Sequence, residues 1–175
     1  MSIHGVHHTG IIVKNLDRSI YFYHDLLGLD FQSEPSPWFS GPELAEGVGV
    51  PGASLRQVNL TTGDGVVELL EYGNRPEGDD TVPPQNRLGS SHVALRVDDI
   101  ASTVAELQAK GIQFLTPPNV VDDGTLAGWR WNYFLDPDGY TIELVQVAYT
   151  TPHAEAIADY LANRPSLESL SGGAA

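Results

Sequence analysis

His92-Val-Ala-Leu-Arg-Val-Asp-Asp-Ile100 repeats a layout already present at His8-Thr-Gly-Ile-Ile-Val-Lys-Asn-Leu16. In both, an apolar run of strand character meets Asn or Asp, preferred helix N-caps, and then a helical spacing of apolar residues. Leu16, Ile20, Tyr23 and Leu27 mark the first helix, closed near Gly28; Ile100, Val104 and Leu107 mark the second, closed by Gly111. Each half then reaches an Asp-Gly turn feeding a strand with a glutamate in its middle. These are Asp64-Gly-Val-Val-Glu-Leu-Leu70 and Asp138-Gly-Tyr-Thr-Ile-Glu-Leu-Val145.

Worked outward, each half reads β-α-β-β-β. Strands are expected over 3–13, 29–33, 54–61 and 66–72, and again over 92–97, 112–115, 129–135 and 140–148. Four strands and one helix cannot cover both faces of their own sheet, so two copies should pack together. The expected fold is α+β: two tandem βαβββ modules forming a curved mixed sheet around a metal-binding cleft, with the helices outside. The modules are 1–73 and 91–149, joined by a Pro-containing linker over 74–90. A C-terminal helix and a flexible tail fill 150–175. Within the first module, 34–53 is an inserted, lid-like segment, where Ser40-Gly-Pro-Glu43 has the layout of a capping box before a short helix.

Bulk properties narrow the function classes. The net charge of −14 argues against nucleic acid and anionic membrane as partners, since both require clustered Lys and Arg. Without cysteines, disulfides, zinc–thiolate sites and thiol catalysis are excluded. No secretory signal or run of about 18 apolar residues is visible, so cytoplasmic residence is the expectation.

The chemistry lies in the repeat. Glu68 and Glu143 are each embedded in an apolar strand, where a carboxylate is costly unless paired or coordinated. Aligning the halves on Val13 and Val97 selects His8 and His92 as their companions. One divalent cation with two neutral imidazoles and two carboxylates is electrically neutral, and a six-coordinate ion would keep about two positions for substrate. The expected metal ligands are therefore His8, Glu68, His92 and Glu143, holding zinc, nickel, cobalt, manganese or iron. Trp129-Arg-Trp-Asn-Tyr133 adds either an aromatic wall or an anion clamp, with Trp131 and Arg130 as substrate-contacting candidates.

These motifs resemble the vicinal oxygen chelate superfamily, which includes glyoxalase I, methylmalonyl-CoA epimerase, extradiol dioxygenases and bleomycin-resistance proteins. The resemblance spans about residues 3 to 148 and is most specific at Phe134-Leu-Asp-Pro-Asp-Gly-Tyr-Thr-Ile-Glu-Leu144. It implies the same four ligands and makes Glu143 and Glu68 the catalytic bases. It also implies a small-molecule substrate and a homodimer, in which halves are exchanged between subunits in some relatives. A carboxylate at Glu68 resembles the proton-transfer branch: a metal-dependent isomerase, epimerase or lyase acting beside a carbonyl or enolate oxygen of a small oxygenated metabolite. A metal-free drug-binding protein and an extradiol-type dioxygenase are the alternatives. Where glyoxalase I carries a glutathione-binding arginine and asparagine, this chain has Ile12 and Tyr72. In place of the epimerase's second glutamate it offers Arg56 and Gln57, of which Arg56 joins the substrate-contacting candidates.

Overall fold

The computed structural model describes residues 2–76, 78, 81–148 and 154–165. Caps and turns set its elements. In the first module β1 (Thr9–Ile12) leads to Asn15, whose side chain accepts the Arg18 amide at 2.8 Å and starts α1 (Leu16–Ile20). The helix widens into a π-helical segment, Tyr21–Leu26, and ends at Gly28 with φ 82°. Then follow β2 (Asp30–Phe31), β3 (Phe39–Ser40), α2 (Pro42–Val48), β4 (Ser54–Thr61) and β5 (Val66–Tyr72). The second module repeats the order with β6 (His92–Arg96), α3 (Ile100–Ala109), β7 (Asn119–Val120), β8 (Arg130–Leu135) and β9 (Thr141–Gln146). Asp99 caps α3 through the amides of Ala101 and Ser102. A final helix, α4, covers Ala154–Asn163, whereas 149–153 and the expected tail over 166–175 lie outside the described residues.

The strand orders match between modules: β1-β5-β4-β2, with β3 also on β4, and β6-β9-β8-β7. First and last strands run parallel and the remaining pairs antiparallel. The fold is thus the expected α+β tandem of βαβββ units, its mixed strands lying in two sheets, one per module. The helices occupy the faces opposite Glu68 and Glu143. The Leu16 amide at the start of α1 donates to Glu71, and the Ile100 amide at the start of α3 donates to Gln146.

Several elements are shorter than the sequence pattern suggests, for local reasons. β1 begins at Thr9 because its partner, β5, begins only at Val66 after the Gly65 turn. Residues 112–115 make a single bridge, Phe114 to Phe134, and regular pairing resumes at Asn119 after Pro117 and Pro118, which have no amide to donate. The Ser40 capping box does not form. Ser40 is paired with Ser54 in the sheet, and Gly41 caps α2 without a side-chain bond ahead of Pro42.

One apolar core serves both modules. Ile11, Val58, Leu60, Val67 and Leu69 from the first sheet join Phe134, Ile142 and Leu144 from the second, together with Leu16, Ile100, Val104 and Leu107 from the helices. Phe22 meets Phe134 at 6.3 Å between ring centroids, and Tyr23 donates its hydroxyl to Asp136 at 3.2 Å. Lys14 donates its backbone amide to Asp138 at 2.8 Å, and the Arg18 guanidinium binds the same carboxylate. Burying side chains of this size contributes about 1.5–3 kcal/mol each, so neither module is an independent layer.

Candidate metal centre

Strand alternation turns both glutamates away from the core. Glu68 lies between Val67 and Leu69, and Glu143 between Ile142 and Leu144, all four neighbours being buried. His8 immediately precedes β1 and His92 opens β6, the two strands that lie parallel to the glutamate-bearing strands. His8 Nε2 is 3.4 Å from Glu68 Oε2, and His92 Nε2 is 3.1 Å from Glu143 Oε2. The carboxylates are sheltered, at 17% and 15% side-chain exposure, against 45% and 37% for the imidazoles. Each pair is therefore open to solvent from its histidine side.

The donor geometry suits a metal ion. Ligand bonds of about 2.0–2.2 Å set at right angles leave neighbouring donors about 3 Å apart, which is the separation within each pair. The other ring nitrogen is also engaged: His92 Nδ1 lies 3.3 Å from Gln85 Oε1, and His8 Nδ1 lies 2.9 Å from His7 Nδ1. Such outer partners fix the ring and leave Nε2 directed at the carboxylate. Among the described residues, however, no group of three or more His, Asp or Glu side chains is close enough to hold one ion. The four expected ligands come as two pairs.

The structure separates the remaining candidates. Trp131 shares the Glu143 face, since β8 and β9 pair Trp131 with Val145 and Tyr133 with Glu143. Its ring packs on Tyr133 at 5.2 Å, and Tyr133 packs on His92 at 5.5 Å, so this face carries an aromatic wall. Arg130 is a correction. It pairs with Gln146, the residue that receives the Ile100 amide, and so belongs to the helix side of its sheet. Arg56 is corrected for the same reason. It is paired with Glu71 rather than with the Glu68 face and is held by Glu71 at 2.8 Å and Asp17 at 2.9 Å. Both follow from the two-residue period of a strand, which sends neighbours to opposite faces.

Two polar groups stand beside the glutamates: Asn59, which the sequence pattern does not single out, and Tyr133, which it offers only as part of an aromatic wall. Asn59 stands directly across β4–β5 from Glu68, and Tyr133 stands across β8–β9 from Glu143. Asn59 Oδ1 is buried without a hydrogen-bond partner. The Tyr133 phenol is pushed above its ordinary range, first by burial and then by the Glu143 charge. On the other flank stand small residues, Gly10 beside Glu68 and Ala94 beside Glu143. A Cβ at position 10 would lie 3.3 Å from Leu70 Cδ1 and 3.7 Å from Glu68 Oε2.

Farther along the Glu68 face is a cavity of about 500 Å³. Ile12 and Tyr72 line it, with Val50 from the inserted segment, Val82 and Pro83 from the linker, and Asp138 from the second module.

The profile of the Glyoxalase/Bleomycin resistance protein/Dioxygenase superfamily matches residues 5–144. The chain belongs to this superfamily. Within it, a 2-epi-5-epi-valiolone epimerase from Actinomyces sp is 26% identical over 153 residues, covering 84% of this chain and 81% of that protein. A lactoylglutathione lyase from Schizosaccharomyces pombe is 33% identical over 165 residues, covering 88% of this chain; the chain spans about half (51%) of that relative. Among solved structures, a glyoxalase family protein from Bacillus cereus superposes with a TM-score of 0.68 at 22% identity, covering 85% of this chain and 97% of that one. This last likeness is one of fold.

Proposed function

We propose that this superfamily member is a divalent-metal-dependent isomerase, epimerase or lyase that moves a proton next to a carbonyl of a small oxygenated metabolite. The observation that carries the reading is the repeated His–Glu pair, built at equivalent places of two modules with donor spacings of 3.4 and 3.1 Å. The similarity to an epimerase and to a lactoylglutathione lyase supports the same chemistry.

His8, Glu68, His92 and Glu143 would hold the ion. When bound, a divalent cation supplies Lewis acidity that makes a neighbouring C–H easier to deprotonate. The sheltered carboxylates of Glu143 and Glu68 take the proton and return it to the adjacent atom or the opposite face. Trp131 and Tyr133 wall the site and keep water from the reacting carbon. Because the pairs are separate within one chain, we assign each to half of a site that a second copy completes, which makes the working form a homodimer.

The test is metal binding joined to proton exchange. Protein stripped of metal and titrated with cobalt, nickel, zinc, manganese or ferrous ion should bind one equivalent per chain at micromolar levels. The loaded protein should incorporate deuterium from D2O beside the carbonyl of 2-hydroxy ketones. Absence of binding by all five ions defeats the reading.

A further inference from the structure

The cavity beyond Glu68 is outside the proton-transfer machinery, yet it is aligned with it. Gly10 and Ile12 on β1 lie on the same face as Glu68, Leu70 and Tyr72 on β5, by the register of the parallel pair. Same-face neighbours on a strand are about 7 Å apart, so Ile12 stands about 7 Å beyond Gly10, the residue in contact range of the Glu68 carboxylate. A single small molecule can span that interval. The volume of about 500 Å³ falls within the range of about 300–1,000 Å³ usual for small-molecule sites.

The lining indicates what fits. Ile12, Val50, Tyr72, Pro76, Val82 and Pro83 supply mostly apolar walls. Four polar members of the wall are already engaged, and Thr81 is solvent-exposed. Asn74 donates to the Pro51 carbonyl at 3.1 Å, Asp138 is bound by the Lys14 amide and the Arg18 guanidinium, and Lys14 and Arg75 each have further partners. A charged or peptide-like group entering here would lose hydration and find few matched hydrogen bonds beyond the Thr81 and Tyr72 hydroxyls, whereas an aliphatic ring or branched chain loses nothing.

We propose that this cavity binds an apolar ring or branched acyl portion of the substrate, placing a carbonyl attached to it beside Glu68. The carbonyl end rests on the proton-transfer reading; the apolar end rests on the cavity alone. Val50, at the end of the inserted segment, then acts as a specificity-determining residue that closes the apolar end.

The experiment uses 1-cyclohexylethanone as probe, acetone as its truncated counterpart, and the full chain. Saturation-transfer NMR on metal-free protein should detect the cyclohexyl ketone and give for it at least a tenfold lower Kd than for acetone. Val50→Trp, which fills the cavity, and Ile12→Arg, which places a cation in its wall, should each erase that difference. A melting curve verifies folding, and Val50→Trp alone decides if Ile12→Arg unfolds. Glu68→Gln should keep the ring preference while losing metal-dependent deuterium exchange. Binding without exchange in wild type would sink the proton-transfer reading and leave the cavity assignment standing. Equal affinity for the two ketones, or a preference that survives Val50→Trp, overturns the cavity assignment whatever the exchange result.

Discussion

Glu68 stands between Gly10 and Asn59, whereas Glu143 stands between Ala94 and Tyr133. The paired histidine and the small flanking residue are common to both halves; the polar neighbour is not. Asn59 offers an amide with a buried, unpartnered oxygen, and Tyr133 offers a phenol that burial and Glu143 hold protonated. The surroundings differ as well. The first half opens along its face toward the apolar cavity, and the second carries the Trp131–Tyr133 wall. Duplication therefore preserves the donors while their neighbours diverge, so the two carboxylates are chemically inequivalent despite their equivalent positions.

The largest effects are expected at the glutamates. Replacing either with Gln keeps the shape but removes both a base and a charged metal donor, so Glu143→Gln and Glu68→Gln should each lower deuterium exchange by at least about 10²–10⁴-fold. A large loss at only one of them would show that the other is needed neither as base nor as metal donor, and would sharpen the inequivalence. Next in size is the junction between halves. Phe134 is fully buried against Phe22 and Phe114, and Phe134→Ala should cost about 3–5 kcal/mol in urea unfolding. A cost below about 1 kcal/mol would mean that the modules do not share a core.

Tyr133→Phe tests the neighbour directly. The phenol keeps its proton at neutral pH, so its removal should lower kcat roughly tenfold, equally between about pH 6 and pH 9. A drop confined to one limb of the profile would show that Tyr133 titrates within that range. The smallest effect concerns Asp136, where burial raises the carboxyl although the amides of Tyr140 and Asp138 act the other way. The folded state then binds this proton more tightly than the unfolded chain, whose pKa is about 3.9. The contribution to stability is full below that value and declines as pH rises through the raised folded pKa. Asp136→Asn should flatten the decline in melting temperature above about pH 4, and an unchanged slope would remove Asp136 as its source.

The tandem fold was legible because turns and caps are local: Asn15, Asp99 and the two Asp-Gly turns each state their own geometry. The repeat selects one histidine and one glutamate per module, whereas their separation into a His8–Glu68 and a His92–Glu143 pair comes from the strand register. What lies beside the glutamates depends on register. Counting across the loop at 62–65 sets Asn59 opposite Glu68, but the second hairpin misleads, since Tyr140 belongs to the turn. Its amide and carbonyl both bond to Asp136, which moves the closing pair to Leu135 and Thr141. Arg56 and Arg130 illustrate a complementary limit: the resemblance points to one and the Trp129–Tyr133 run to the other, and strand parity turns both to the helix side.

In the proposed dimer the two unlike pairs act together in one metal site shared between copies. Glu68→Gln and Glu143→Gln chains carrying different affinity tags can be co-expressed and the doubly tagged dimer isolated. One half of that dimer then contributes an intact Glu68 and the other an intact Glu143. One tightly bound ion per mixed dimer is expected, against two in wild type and none in either parent variant. A mixed dimer that binds no metal, while wild type binds two, contradicts it.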